Sequence, residues 1–177
     1  MRAESVALNY AEALFAIADG EGKATVYGEW IEAVAGAIST TPAIEAVLMS
    51  PRVTKAEKGK ILAQSLPRAP KPLILFLQAV IKRGRQGILS LIATRYQGLL
   101  DTKLNRVRAS VTVARPASAA LQKEIVKALS EVTGKEVLAR FSEDASLLGG
   151  VVVRVGDRIY DGSLRLRVAS LRRQLVR

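Results

Sequence analysis

Near residue 105 the hydrophobic period of this chain changes from that of a helix to that of a strand. Before Leu104 the apolar residues recur every three or four positions, whereas Val107, Ala109, Val111 and Val113 alternate with Arg108, Ser110 and Thr112. A single type of element cannot serve both patterns, because a stripe that faces one way on a helix is scattered over both faces of a strand. The expectation is therefore an α+β chain in two domains: an N-terminal six-helix bundle over residues 1–105 and a small β-α-β-β-β-α domain over 106–177.

Punctuation marks the helices of the first part at roughly 4–19, 22–39, 42–49, 54–66, 71–84 and 86–104. Thr41 before Pro42 and Thr54 before Lys55 read as N-caps, while Gly20, Gly22 and Gly84 read as stops. In the second part a strand over 106–114 leads to a helix capped by Ser118 and stopped by Gly134, with Leu121, Ile125, Leu129 and Val132 on one face. Another strand is expected near 135–141; Gly149-Gly150 opens the run Val151 to Val155, and Gly156-Asp157 turns it back through Arg158 to Tyr160. The last helix runs from Ser163.

Two helices carry more apolar surface than one core contact requires. Wound at about 100° per residue, the first places Val6, Tyr10, Ala13, Leu14 and Ile17 on one arc and Ala7, Leu8, Ala11 and Phe15 on the next. Together they span roughly 220°, against the roughly 100° that faces a single core. The sequence leaves open which arc meets the bundle. The fifth helix is apolar nearly all round through Leu73 to Leu77 and Ala79 to Ile81, with Gln78 as the interruption. Such a helix can simply be the central one, but two of them point to a groove that accepts a partner helix. The closing helix is basic and amphipathic: Leu164, Val168, Leu171 and Leu175 form a stripe flanked by Arg165, Arg167, Arg172, Arg173 and Arg177. A core-facing stripe with a solvated back explains it, as does an acidic protein, an RNA or an anionic membrane surface.

Composition closes off most chemistry. With no Cys and no His, disulfide scaffolds, Cys- or His-ligated zinc and His-dependent nucleophiles are excluded. Neither phosphate-cradling glycine motif is present. Asp157 and Asp161 read as a turn residue and a helix-entry residue, and Glu143-Asp144 as a solvated loop, so no catalytic, cofactor-binding or metal-binding residue is expected. The longest uncharged apolar run, Pro72 to Ile81, is about half of what a membrane-spanning helix needs. Glu4, Asn9 and Glu12 interrupt the place where an export signal would have its apolar centre. Net charge is +11, of which +7 lies after residue 105. That charge is the chief argument for the rival reading, a basic RNA-binding protein with a helical domain such as an antitermination factor.

Three segments carry a family likeness. Tyr10-Ala11-Glu12-Ala13-Leu14-Phe15, then Phe76-Leu77 with Arg85, Ile88-Leu89, Ile92 and Tyr96, then Leu148-Gly149-Gly150-Val151-Val152-Val153-Arg154-Val155-Gly156-Asp157 followed by Asp161-Gly162-Ser163 resemble the delta-subunit family of F-type ATP synthases, whose mitochondrial counterpart is the oligomycin-sensitivity-conferring protein. The likeness runs the length of the chain, and its third segment is the specific one. It implies a non-catalytic stator connector, one copy in a hetero-oligomeric complex peripheral to the cytoplasmic face of the membrane, without cofactor, nucleic acid or direct membrane insertion. The resemblance implies that the helical domain grips the N-terminal helices of the catalytic head's alpha subunits between its first and fifth helices, so Tyr10, Ala13, Leu14 and Ala79 are the expected contacts. The second domain would hold the C-terminal ends of the b subunits of the peripheral stalk; the arginines of the last helix exceed the family pattern, and on their charge Arg165, Arg167, Arg172 and Arg173 are the candidates there.

Overall fold

The computed structural model describes residues 3–175, and side chains as far as residue 171. Eight α-helices and a four-stranded sheet are present among these residues. The chain divides into two compact units, the first ending at Leu100 and the second beginning at Asp101.

The first unit holds α1 (Ala3–Gly20), α2 (Ala24–Thr40), α3 (Pro42–Met49), α4 (Lys55–Ser65), α5 (Lys71–Lys82), a 3₁₀ turn at Gln86–Ile88 and most of α6 (Leu89–Lys103). One core joins them, built on fully buried Leu14, Tyr27, Ile31, Leu73, Leu77 and Ile92. Small side chains let the helix axes approach: Ala7, Ala11 and Ala18 of α1 are all fully buried. The Thr54 side chain and Glu57 satisfy each other's backbone N–H groups at the start of α4, a reciprocal cap. Thr41 differs from its expected role. It sits at the N-cap of α3 in extended geometry, but its side chain makes no capping bond, and the turn is entered through Pro42 instead.

Two buried phenols tie α2 and α6 into this core. Tyr96 Oη donates to the Ala24 carbonyl at 2.8 Å, and Tyr27 Oη donates to Glu21 Oε2 at 3.0 Å. Burial, helped by Glu21, pushes Tyr27 up to about 12, and burial with Tyr27 nearby pushes Tyr96 up to about 12. An unfolded chain releases these protons near 10.0. The folded state therefore keeps protons that the unfolded state loses. This stabilisation is complete below pH 10 and is lost as pH rises toward about 12. Alkaline denaturation followed by helical circular dichroism should begin above pH 10, and Tyr27→Phe together with Tyr96→Phe should flatten that pH dependence.

The second unit holds β1 (Arg106–Val113), α7 (Ala119–Thr133), β2 (Glu136–Glu143), a 3₁₀ turn at Ala145–Leu147, β3 (Val151–Val155), β4 (Arg158–Asp161) and α8 (Leu164–Leu175). The strand order is β2-β1-β3-β4. β1 and β2 are parallel through the α7 crossover, and β3 pairs antiparallel with both β1 and β4. β2 extends two residues beyond its expected end because β1 offers backbone partners as far as Val113, opposite Glu143. Ala109, Val111, Val113, Val137 and Val153 form the core, with Ile125, Val126 and Leu129 of α7 packed on it. The expected face of α7 is thus turned by one position: Val126 joins Ile125 and Leu129, whereas Leu121 is 44% and Val132 73% exposed. Ser118 accepts from the Leu121 N–H and caps the helix, and Gly134 ends it at φ 66°.

Gly150 explains the glycine pair before β3. Its φ is 80°, and a Cβ at that position would run into the Gly162 carbonyl and lie 3.1 Å from Ser163 Cα. The backbone approach between the two loops requires a residue with no side chain. Ser163, fully buried, then accepts from the Leu166 N–H at 3.2 Å and starts α8.

Candidate partner-binding surfaces

The winding of α1 sorts its two arcs. Ala7, Ala11, Leu14 and Ala18 face the core, and Phe15 packs edge-on against Tyr96 with ring centroids 5.5 Å apart. Leu14, expected at the partner surface, is fully buried. At about 100° per residue it lies only about 20° from Ala7 and about 40° from Tyr10, so the core claims it. Val6, Tyr10, Ala13 and Ile17 make the outer arc: Val6 and Tyr10 are half-buried, Ala13 is exposed, and Ile17 is 42% exposed.

Tyr10 joins this arc to α5. Its ring meets Phe76 edge-on at 6.0 Å between centroids. On α5, Phe76, Leu73, Leu77, Val80 and Ile81 are buried, whereas Leu75, at 65% exposure, and Ala79 one turn later are open. The result is an apolar surface of small and aliphatic side chains on two packed helices. Of the four expected contacts, Tyr10 is half-buried, Ala13 and Ala79 are exposed, and Leu14 is buried.

Chain separation hid what surrounds the Tyr10 hydroxyl. Arg85 Nη1 donates to it at 3.1 Å and Arg83 Nη1 at 3.3 Å, and the Arg85 guanidinium lies 5.5 Å from the ring centroid. Burial raises the Tyr10 phenol, but the two arginine hydrogen bonds and charges outweigh that and leave it below its ordinary value. The sequence signal was present only as an Arg-Gly-Arg turn after α5, with nothing to link it to residue 10. Also unanticipated was an apolar cleft among α2, α3 and α4, lined by Val34, Ile38, Ile44, Val47, Ile61 and Leu62.

In the second unit the α8 stripe is open rather than core-facing. Leu164 is 45%, Val168 58% and Leu171 57% exposed. Arg165 and Arg167 are exposed beside it, while the side chains of Leu175, Arg172, Arg173 and Arg177 lie outside the described residues. Leu148, 70% exposed, adds to the apolar surface of this unit. The nearby acids have structural duties. Asp144 accepts from the Ser146 N–H at 2.8 Å and Asp161 from the Ser163 N–H at 2.9 Å. These hydrogen bonds, with Arg165 contributing its charge, hold both carboxyls below the usual range. Ionised acceptors that fix turns are not poised for proton transfer near neutrality.

Residues 6–175 match the family described as ATP synthase delta (OSCP) subunit. The chain is similar to the ATP synthase subunit delta of Gemmatimonas aurantiaca, at 42% identity over 99% of this chain and 95% of that one. It is also similar to the subunit delta of Anaeromyxobacter sp. strain Fw109-5, at 37% identity over 97% of each. Among solved structures it resembles a chain of the Toxoplasma gondii mitochondrial ATP synthase hexamer determined by cryo-electron microscopy. That likeness has a TM-score of 0.70 and 27% identity, and covers 97% of each chain.

Proposed function

Because this chain belongs to the ATP synthase delta (OSCP) subunit family, whose members are non-catalytic accessory subunits of the ATP synthase complex, we propose that its two units hold the two ends of the stator separately. The chain is a stator connector, peripheral to the membrane complex, and among the described residues no single helix is long and apolar enough to cross a membrane. In this reading the six helices act as one bundle that takes N-terminal helices of the head's alpha subunits on the outer face of α1 and α5. The second unit takes the C-terminal end of the b subunits along α8. One copy serves each complex, on the cytoplasmic face.

The observation that carries this reading is that each unit exposes its own apolar helix surface: Ala13, Ile17, Leu75 and Ala79 in one, and Leu164, Val168 and Leu171 in the other. Apolar burial supplies affinity on docking, and the flanking cations supply orientation and encounter rate. Two independent contacts make detachment of either one an intramolecular, quickly reversed event. That suits a part that must resist rotor torque.

Competition tests this directly. The full chain should bind the catalytic head and a soluble C-terminal fragment of the b subunit at once, with neither displacing the other, and removal of the alpha N-terminal segments should abolish only the first. If the b fragment competes with the head, a single surface serves both and the assignment fails.

A further inference from the structure

Where α1 meets α5, two arginines converge on the Tyr10 hydroxyl. Arg83 and Arg85 both donate to Tyr10 Oη and are exposed, and neither has a carboxylate within ion-pairing distance among the described residues. Arg95, by contrast, lies 3.8 Å from Glu4 and Arg108 2.6 Å from Asp101. Two guanidiniums held on one phenol repel each other. They stay together here because the Tyr10 oxygen accepts from both and its ring offers a face to Arg85. Against the effect of burial, hydrogen bonds and then charge from the two arginines hold the Tyr10 phenol below its ordinary value.

We propose that Tyr10, Arg83 and Arg85 form a carboxylate clamp at the margin of the α1–α5 surface, which receives an acidic side chain of the docked helix and thereby fixes its register. This rests on the reading that a helix docks on this surface. The chemistry favours a carboxylate because guanidinium forks pair with planar two-oxygen groups, and because pre-set orientation lowers the entropy lost on pairing. An apolar strip alone gives affinity but tolerates sliding by a turn. A charge pair at one end removes that freedom. Tyr10 acts as the positioning residue: it packs on Phe76 with its ring and aligns both arginines with its hydroxyl.

The test uses the full chain and two synthetic peptides from the N-terminal segment of the alpha subunit, one native and one with every Glu and Asp replaced by Gln and Asn. Calorimetry at low and at moderate salt should show the native chain preferring the acidic peptide by about tenfold or more, with the preference shrinking as salt rises. R83Q/R85Q should bind both peptides equally, at the native chain's affinity for the neutral one. R83K/R85K should recover part of the preference, because charge remains while the planar fork is gone. Tyr10→Phe keeps the ring contact and should lose part of the discrimination. R83Q alone guards against an unfolded double variant and should show an intermediate preference. If native chain and R83Q/R85Q bind both peptides alike, the clamp is wrong while helix docking stands. If the native chain binds neither, the docking reading falls and the clamp with it.

Discussion

Ala13→Asp should abolish docking of the alpha-subunit helix while the isolated chain stays folded. Ala13 is exposed on the outer arc of α1, one turn beyond Tyr10, so a carboxylate there is solvated in the free chain. Under a docked apolar helix it is buried without a partner, at a cost of roughly 3–5 kcal/mol, or a hundredfold or more in affinity. Leu14→Ala, one residue away, should do the reverse. Its side chain is fully buried, so truncation should cost about 2–5 kcal/mol of stability while the folded fraction binds normally. Thermal unfolding together with peptide calorimetry separates the two effects. If Ala13→Asp unfolds the chain and Leu14→Ala spares it, the sides of α1 have been assigned the wrong way round.

Gly150→Ala should damage the second unit and leave the first intact. The new methyl would meet the Gly162 carbonyl from a backbone held at φ 80°, and neither loop can shift without breaking the Gly162 N–H bond to Val151 O or the Leu164 N–H bond to Gly149 O. Positive-φ strain and a backbone clash together should cost about 2–4 kcal/mol. Trp30, the single tryptophan, belongs to the helical unit and gives it a private signal. The Trp30 fluorescence transition should stay where it is while hydrogen exchange at β3 and β4 accelerates. Binding of the b fragment should weaken and binding of the head should persist. Equal shifts in both signals would mean that the units unfold as one.

Local rules were legible where a residue answers to its own neighbours. The alternation from Val107 to Val113, the Thr54 and Ser118 caps, the Gly134 stop and the Gly156-Asp157 turn all depend on a few adjacent positions, and the structure realises them as written. What the sequence hid depends on the rest of the chain. Leu14 lies between two apolar arcs, and only the packing of α1 against its neighbours decides that it is core. Thr41 has the right identity for a cap but does not use its hydroxyl, because Pro42 already shapes the entry to α3. Val126, rather than Leu121 or Val132, packs beside Ile125 and Leu129 on the core of Ala109, Val111, Val113, Val137 and Val153, a choice that depends on how α7 lies on the sheet. The α8 stripe has the pattern of a core face yet stays open, which periodicity cannot distinguish. The meeting of Tyr10 with Arg83 and Arg85 spans more than 70 residues of chain and has no local signature.

The claim that this chain connects without catalysing is tested most directly in vesicles that carry the synthase stripped of it. Adding the chain back should restore head attachment and gradient-driven ATP synthesis, while ATP hydrolysis by detached heads proceeds at the same rate with or without it. Full synthesis in its absence, or ATP hydrolysis by the purified chain alone that a point substitution abolishes, would contradict the account.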